Sequence, residues 1–124
     1  MKLGYMYNNI EKWKKDLKQT REEILPIVKN TKIFSMADIK KISVVFNNLG
    51  LMISAVSFYK DEPKACLSEI SGKFKEKGII AKRREIKEEA YQFQVSCKMI
   101  YEEALELNSK LLGIMEYRAE KEEN

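Results

Sequence analysis

The chain is 124 residues long, 44% hydrophobic and 34% charged, with a formal net charge of +4. That is the length of one domain, with enough apolar residues for a packed core without staples. It contains no histidine, no glycine-rich phosphate loop and no dinucleotide fingerprint. The usual general base near neutral pH, the usual zinc ligand and every Ser-His or Cys-His nucleophile pair are thereby excluded, and a non-enzymatic protein without cofactor or metal is expected.

The chain opens MKLGYMYNNIEKWKK, which lacks the apolar core of a signal peptide. A cytoplasmic location is expected. Met6, Ile10, Trp13, Leu17, Thr20, Ile24 and Ile27 recur at alternating spacings of four and three, the seam of an amphipathic helix. Lys12, Lys14, Lys15 and Lys18 cover the other faces. Pro26 predicts that the helix stops just before it or ends in a kinked turn.

The second segment begins with a capping signal. Ser35 and Asp38 form the S-x-x-D of a helix N-terminus, with Phe34 in the position of a hydrophobic staple. Residues 42–59 then run eighteen positions without a charge, closed by lysines at both ends. The run falls slightly short of the roughly 20 residues a membrane span requires, and Asn47 and Asn48 at its centre would be costly in hydrocarbon. No membrane association is expected, which leaves a buried central helix or a surface kept apolar for a partner. Ile39, Ile42, Phe46, Leu49, Ile53 and Val56 make a continuous helical seam, while Val45, Met52 and Phe58 lie outside it. A helix apolar on more than one side belongs at the centre of a bundle, with Phe46 and Ile53 in its core. Gly50 in its middle permits either a close crossing or a break.

Asp61-Glu62-Pro63 turns the chain into a short helix with Leu67, Ile70 and Phe74 on its apolar face, closed by Gly78. In the last third, Ile86, Ala90, Phe93, Cys97, Ile100, Ala104, Leu107, Leu111 and Ile114 alternate four and three without a miss. One long helix over residues 80–117 is expected, with 119–124 frayed. Glu102, Glu103 and Glu106 read as its solvated face. Cys66 and Cys97 are far apart in sequence and form no C-x-x-C; they read as reduced, half-buried small hydrophobes of a cytosolic protein. The expected fold is an all-α bundle of about four helices in one domain, 1–124, with a long C-terminal helix.

A second reading exists for part of this region. Residues 91–96 also alternate apolar and polar, as a strand does. On that reading FKEKGIIAKRREIKEEAYQFQVS resembles the end of a winged-helix domain of the MarR or PadR kind. The resemblance implies a recognition helix at 65–77, a wing at 79–96, a C-terminal dimerisation helix and a DNA-binding regulator using residues 64–96. The hairpin tip would be Lys87-Glu88-Glu89-Ala90, without the Gly, Asn or Asp that tight turns favour.

Charge is uneven along the chain: residues 1–60 carry +6, residues 61–84 carry +3 and residues 85–124 carry −5. The basic excess is densest at Lys73, Lys75, Lys77, Lys82, Arg83 and Arg84, a candidate patch for an anionic partner, nucleic acid being a less favoured one. A final helix of about 38 residues would be about 57 Å long, against about 38 Å for the central helix. The excess length is expected to expose Leu105, Leu107, Leu111, Leu112, Ile114 and Met115 for a second copy or a protein partner. The function expected is a protein–protein interaction module: a small adaptor, chaperone-like or inhibitory protein, without a small-molecule substrate.

Overall fold

The computed structural model describes the backbone over residues 5–29 and 35–123 and the side chains over 9–27 and 35–113. It contains four helices: α1 (Tyr5–Lys29), α2 (Met36–Lys60), α3 (Pro63–Glu76) and α4 (Arg83–Glu123). No strand occurs among the described residues. The wing predicted over 79–96 is therefore absent. Residues 83–96 are helical, because the apolar positions 86, 90, 93 and 97 match a helix and the would-be hairpin tip is built of helix formers.

Each helix boundary has a local cause. Ser35 caps α2 reciprocally: its hydroxyl accepts from the Asp38 amide at 3.2 Å, and the Asp38 carboxylate accepts from the Ser35 amide at 3.1 Å. Such a cap contributes about 1 kcal/mol. Phe34, the expected staple residue, and the side chain of Met6 lie outside the described residues. α1 does not stop at Pro26 but continues to Lys29; Pro26 is exposed, where the carbonyl it leaves unpaired can be met by water. α3 begins at Pro63, whose missing N–H costs nothing at a first helical position. It ends at Gly78, the one residue with positive φ among those described, at 68°. The Ile79 amide donates to the Phe74 carbonyl at 2.9 Å and the Gly78 amide to that of Lys75 at 3.1 Å, the two bonds of a Schellman cap. α4 begins three residues later than expected and keeps helical backbone through 119–123, composed of the helix formers AEKEE.

α4 is the axis of the bundle, and each of the other helices packs on it more than on one another. The end of α2 lies beside Gln94, whose side-chain amide donates to the Lys60 carbonyl at 3.0 Å. α3 carries on toward the start of α4, where Phe74 shares a cleft with Glu85 and Glu88. α4 remains buried at Ile100, Ala104, Leu107 and Leu111, beyond the reach of α3. α2 therefore runs back along this part, antiparallel to α4. The start of α1 lies against Glu89, Gln92 and Phe93. Thus α2 and α3 cover α4 one after the other. The length argument from the sequence failed because it paired α2 alone with all of α4.

The core is a single cluster. α2 contributes Ile42, Val45, Leu49, Met52, Val56 and Tyr59 to it. That line is rotated from the expected seam. Val45, Met52 and Tyr59 are inside, Ile39 is exposed, and Phe46 and Ile53 are half-buried at the margin. Both lines have three-and-four spacing, and the winning one faces the groove between α1 and α4. α2 is unbroken at Gly50, which is exposed and would meet nothing if it carried a Cβ.

Candidate interaction surface

A buried polar cluster forms the joint where α2, α3 and α4 meet. The Tyr59 hydroxyl donates to Oε2 of buried Glu69 at 3.0 Å, and the Cys66 thiol donates to the Tyr59 carbonyl at 3.3 Å. The Tyr59 ring meets Phe93 edge-on, centroids 5.3 Å apart. Lys60 turns its ammonium over the Tyr101 ring, 4.6 Å from the centroid, and also pairs with Asp61. Gln94 thus satisfies the Lys60 carbonyl at the end of α2, while the Tyr59 carbonyl also accepts from the Glu62 amide at 3.2 Å.

This joint is built for structure. Burial pushes the Cys66 thiol up to about 11 and the Cys97 thiol up to about 12; both are free and buried, so neither is a thiolate near neutral pH. Burial, then the Glu69 hydrogen bond, raises Tyr59 as well. The fold favours the neutral forms of all three. Their contribution to stability is complete below the unfolded thiol value of 9.0 and is lost as pH rises through the folded values. Stability should hold to about pH 9 and fall above it, and Cys97→Ala should flatten the fall. Urea midpoints measured across that range check this. Midpoints independent of pH up to about 11 would show the thiols to be solvated.

The predicted α4 surface divides. Leu107 and Leu111 are 6% and 1% exposed and belong to the core, so they cannot form a docking face. They share that core with Ile24 and Ile27 of α1 and Ile42 and Val45 of α2. Leu105 and Leu112 are exposed. The side chains of Ile114 and Met115 lie outside the described residues. The exposed apolar residues of α4 include Tyr91, Val95 and Met99, four apart along one line, with Glu88, Lys98, Glu102 and Glu106 around them.

The predicted basic cluster also loses its coherence. Lys73 is buried, and burial lowers its pKa, with Glu89 and Glu76 opposing that shift. Lys75, Lys77, Lys82, Arg83 and Arg84 are exposed around the α3–α4 turn, whose Ile79 and Ile80 are exposed too. Lys82 and Arg84 share their cleft with Glu85, Glu88 and Glu89, so the region is of mixed sign. Among the described residues no group of three or more His, Cys, Asp or Glu could hold a metal ion.

The surface that sequence reasoning missed is the outer side of α2. The run 42–59 buries one line, half-buries Phe46, Ile53 and Ala55 and leaves the remainder outside, still without a charge. Val44, Leu51 and Phe58, seven residues apart, are 58%, 69% and 63% exposed. Around them lie Ser43, Asn47, Asn48, Gly50, Ser54 and Ser57, all exposed. Ser43 and Ser57 donate their hydroxyls to their own helix, to the carbonyls of Ile39 at 3.0 Å and Ser54 at 2.9 Å. Covering them would strand no donor. Beside this strip α1 and α2 part to leave a cleft of about 640 Å³, with Trp13 on one wall and Leu51, Met52 and Ala55 on the other. α2 is long and apolar enough to cross a membrane, and a third of its most apolar stretch (33%) is buried in the bundle. The signal in the sequence was the missing charge itself: a helix with only a core to serve would carry lysines and glutamates outside, as α1 and α4 do.

The geometry defines an all-α bundle with one uncharged helix face. No family model, curated protein or solved structure matches the chain.

Proposed function

We propose that this is a non-enzymatic protein–protein interaction module that docks a helical partner on the outer face of α2. One observation carries the reading: Val44, Leu51 and Phe58 line an exposed helix face with no charge over eighteen residues, in a chain that is 34% charged. Water solvates such a face poorly, and exposed apolar residues at helical spacing are the pattern that helix-in-groove recognition uses. A protein occupant fits it better than lipid. Asn47 and Asn48 sit in the middle of the face and would enter hydrocarbon without partners, whereas a protein rim can hydrogen-bond them. The absence of histidine and the buried, protonated thiols support a role without catalysis. Two free thiols also fit a reducing compartment, which supports a cytoplasmic reading.

The test is hydrogen exchange and binding on the intact chain. Leu51→Asp should abolish complex formation while leaving helicity and melting of the isolated chain unchanged, because Leu51 touches solvent and not the core. Complexes that survive Leu51→Asp and Phe58→Asp together would place docking elsewhere.

A further inference from the structure

Resting on that reading, we infer that the occupant of the α2 face is a second copy of this chain, bound antiparallel about a two-fold axis at Leu51. The apolar anchors of the face are evenly spaced. Val44 lies seven residues before Leu51 and Phe58 seven after. Two α2 helices laid antiparallel in this register set Leu51 against its own copy and Val44 against the second copy's Phe58, at both ends alike. A two-fold interface requires this self-complementarity, and an interface with a different partner does not. The strip from Val44 to Phe58 is about 21 Å long, four turns of helix.

The same register pairs charges at the ends. Lys40 falls opposite the second copy's Glu62, which follows the last residue of α2, Lys60, by two. Asp61 is already paired with Lys60 of its own chain, whose ammonium also lies over the Tyr101 ring. Lys40, Lys41, Asp61 and Glu62 are all exposed. A parallel pairing would instead set lysine on lysine, so the flanking charges select the antiparallel arrangement.

The cleft beside Leu51 offers the facing residues room to enter.

Sedimentation equilibrium and cysteine crosslinking on the full chain test the inference. The protein should be a dimer at micromolar concentration. Leu51→Asp should weaken self-association about thirtyfold or more, the effect of losing a central anchor, with helicity retained. Lys40→Glu and Glu62→Lys should each weaken the dimer, and the two together should restore it. Leu51→Cys should form a symmetric crosslink with itself under mild oxidant. Val44→Cys should crosslink to Phe58→Cys and not to itself; the native thiols are buried and stay out of the reaction. A monomer, or a dimer indifferent to Leu51→Asp, overturns the inference. If the chain is a monomer yet holds a different protein through Leu51, the inference fails and the docking function stands. Cosedimentation with lipid vesicles that Leu51→Asp abolishes would overturn both.

Discussion

Leu111→Asp should leave the chain largely unfolded at 25 °C, while Leu112→Asp melts close to the parent. The two leucines are neighbours on α4, yet one is 1% and the other 46% exposed. At Leu111 the substitution removes a filled core volume worth about 2–5 kcal/mol and installs a carboxylate that the interior must either pair or protonate. Among the described residues the surroundings are apolar: Leu107, Ala104 and the core residues of α1 and α2. The summed cost reaches the whole stability of a domain this size, about 5–15 kcal/mol. At Leu112 the same change touches water and should shift stability by no more than about 0.5 kcal/mol. Circular dichroism melts of the pair decide it. Equal melting temperatures would mean that α4 is rotated from the orientation described.

The second large effect lies in α2. Leu49→Ala should cost about 2–5 kcal/mol, whereas Ile39→Ala should fall within about 0.5 kcal/mol of the parent. Leu49 is 1% exposed and Ile39 is 45% exposed, although both sit on the seam that the sequence suggests. Phe46→Ala should lie between them, since that ring is packed against the core from its edge. Urea titrations with constant slope give these values directly. Should Ile39→Ala prove as costly as Leu49→Ala, the buried line of α2 is the expected one after all.

Much of the fold was legible because periodicity and caps agree. The seam of α4 from Ala90 to Leu111 is read from the sequence and found buried position by position. Ser35 with Asp38, Pro63 and Gly78 mark boundaries that the structure keeps. The phase of α2 was not legible, and the reason is physical. Apolar residues occupy adjacent helical lines there, so 42-46-49-53-56 and 42-45-49-52-56 are equally periodic. Tyr59 decides between them, since its hydroxyl can be buried only because Glu69, ten residues on, accepts from it. No local pattern announces such a pair. The exposed strip was missed for the same reason: assigning the whole bare run to the core left nothing over for the surface. The α4 surface was misjudged through a length comparison that ignored α3 as a continuation of α2.

The placement of α4 has a consequence for the order of events on the ribosome. α1, α2 and α3 all lean on α4 and share little with one another. α4 is also the last of the four to be synthesised. Until Ile100 and Leu107 have emerged from the exit tunnel, the apolar line of α2 has no lasting cover. The nascent chain must carry that line, together with Val44, Leu51 and Phe58, through most of its synthesis unfolded or in the care of a chaperone. Folding of this protein is then expected to be late and abrupt, a single collapse onto α4 when that helix emerges, and not a stepwise growth from the first helix.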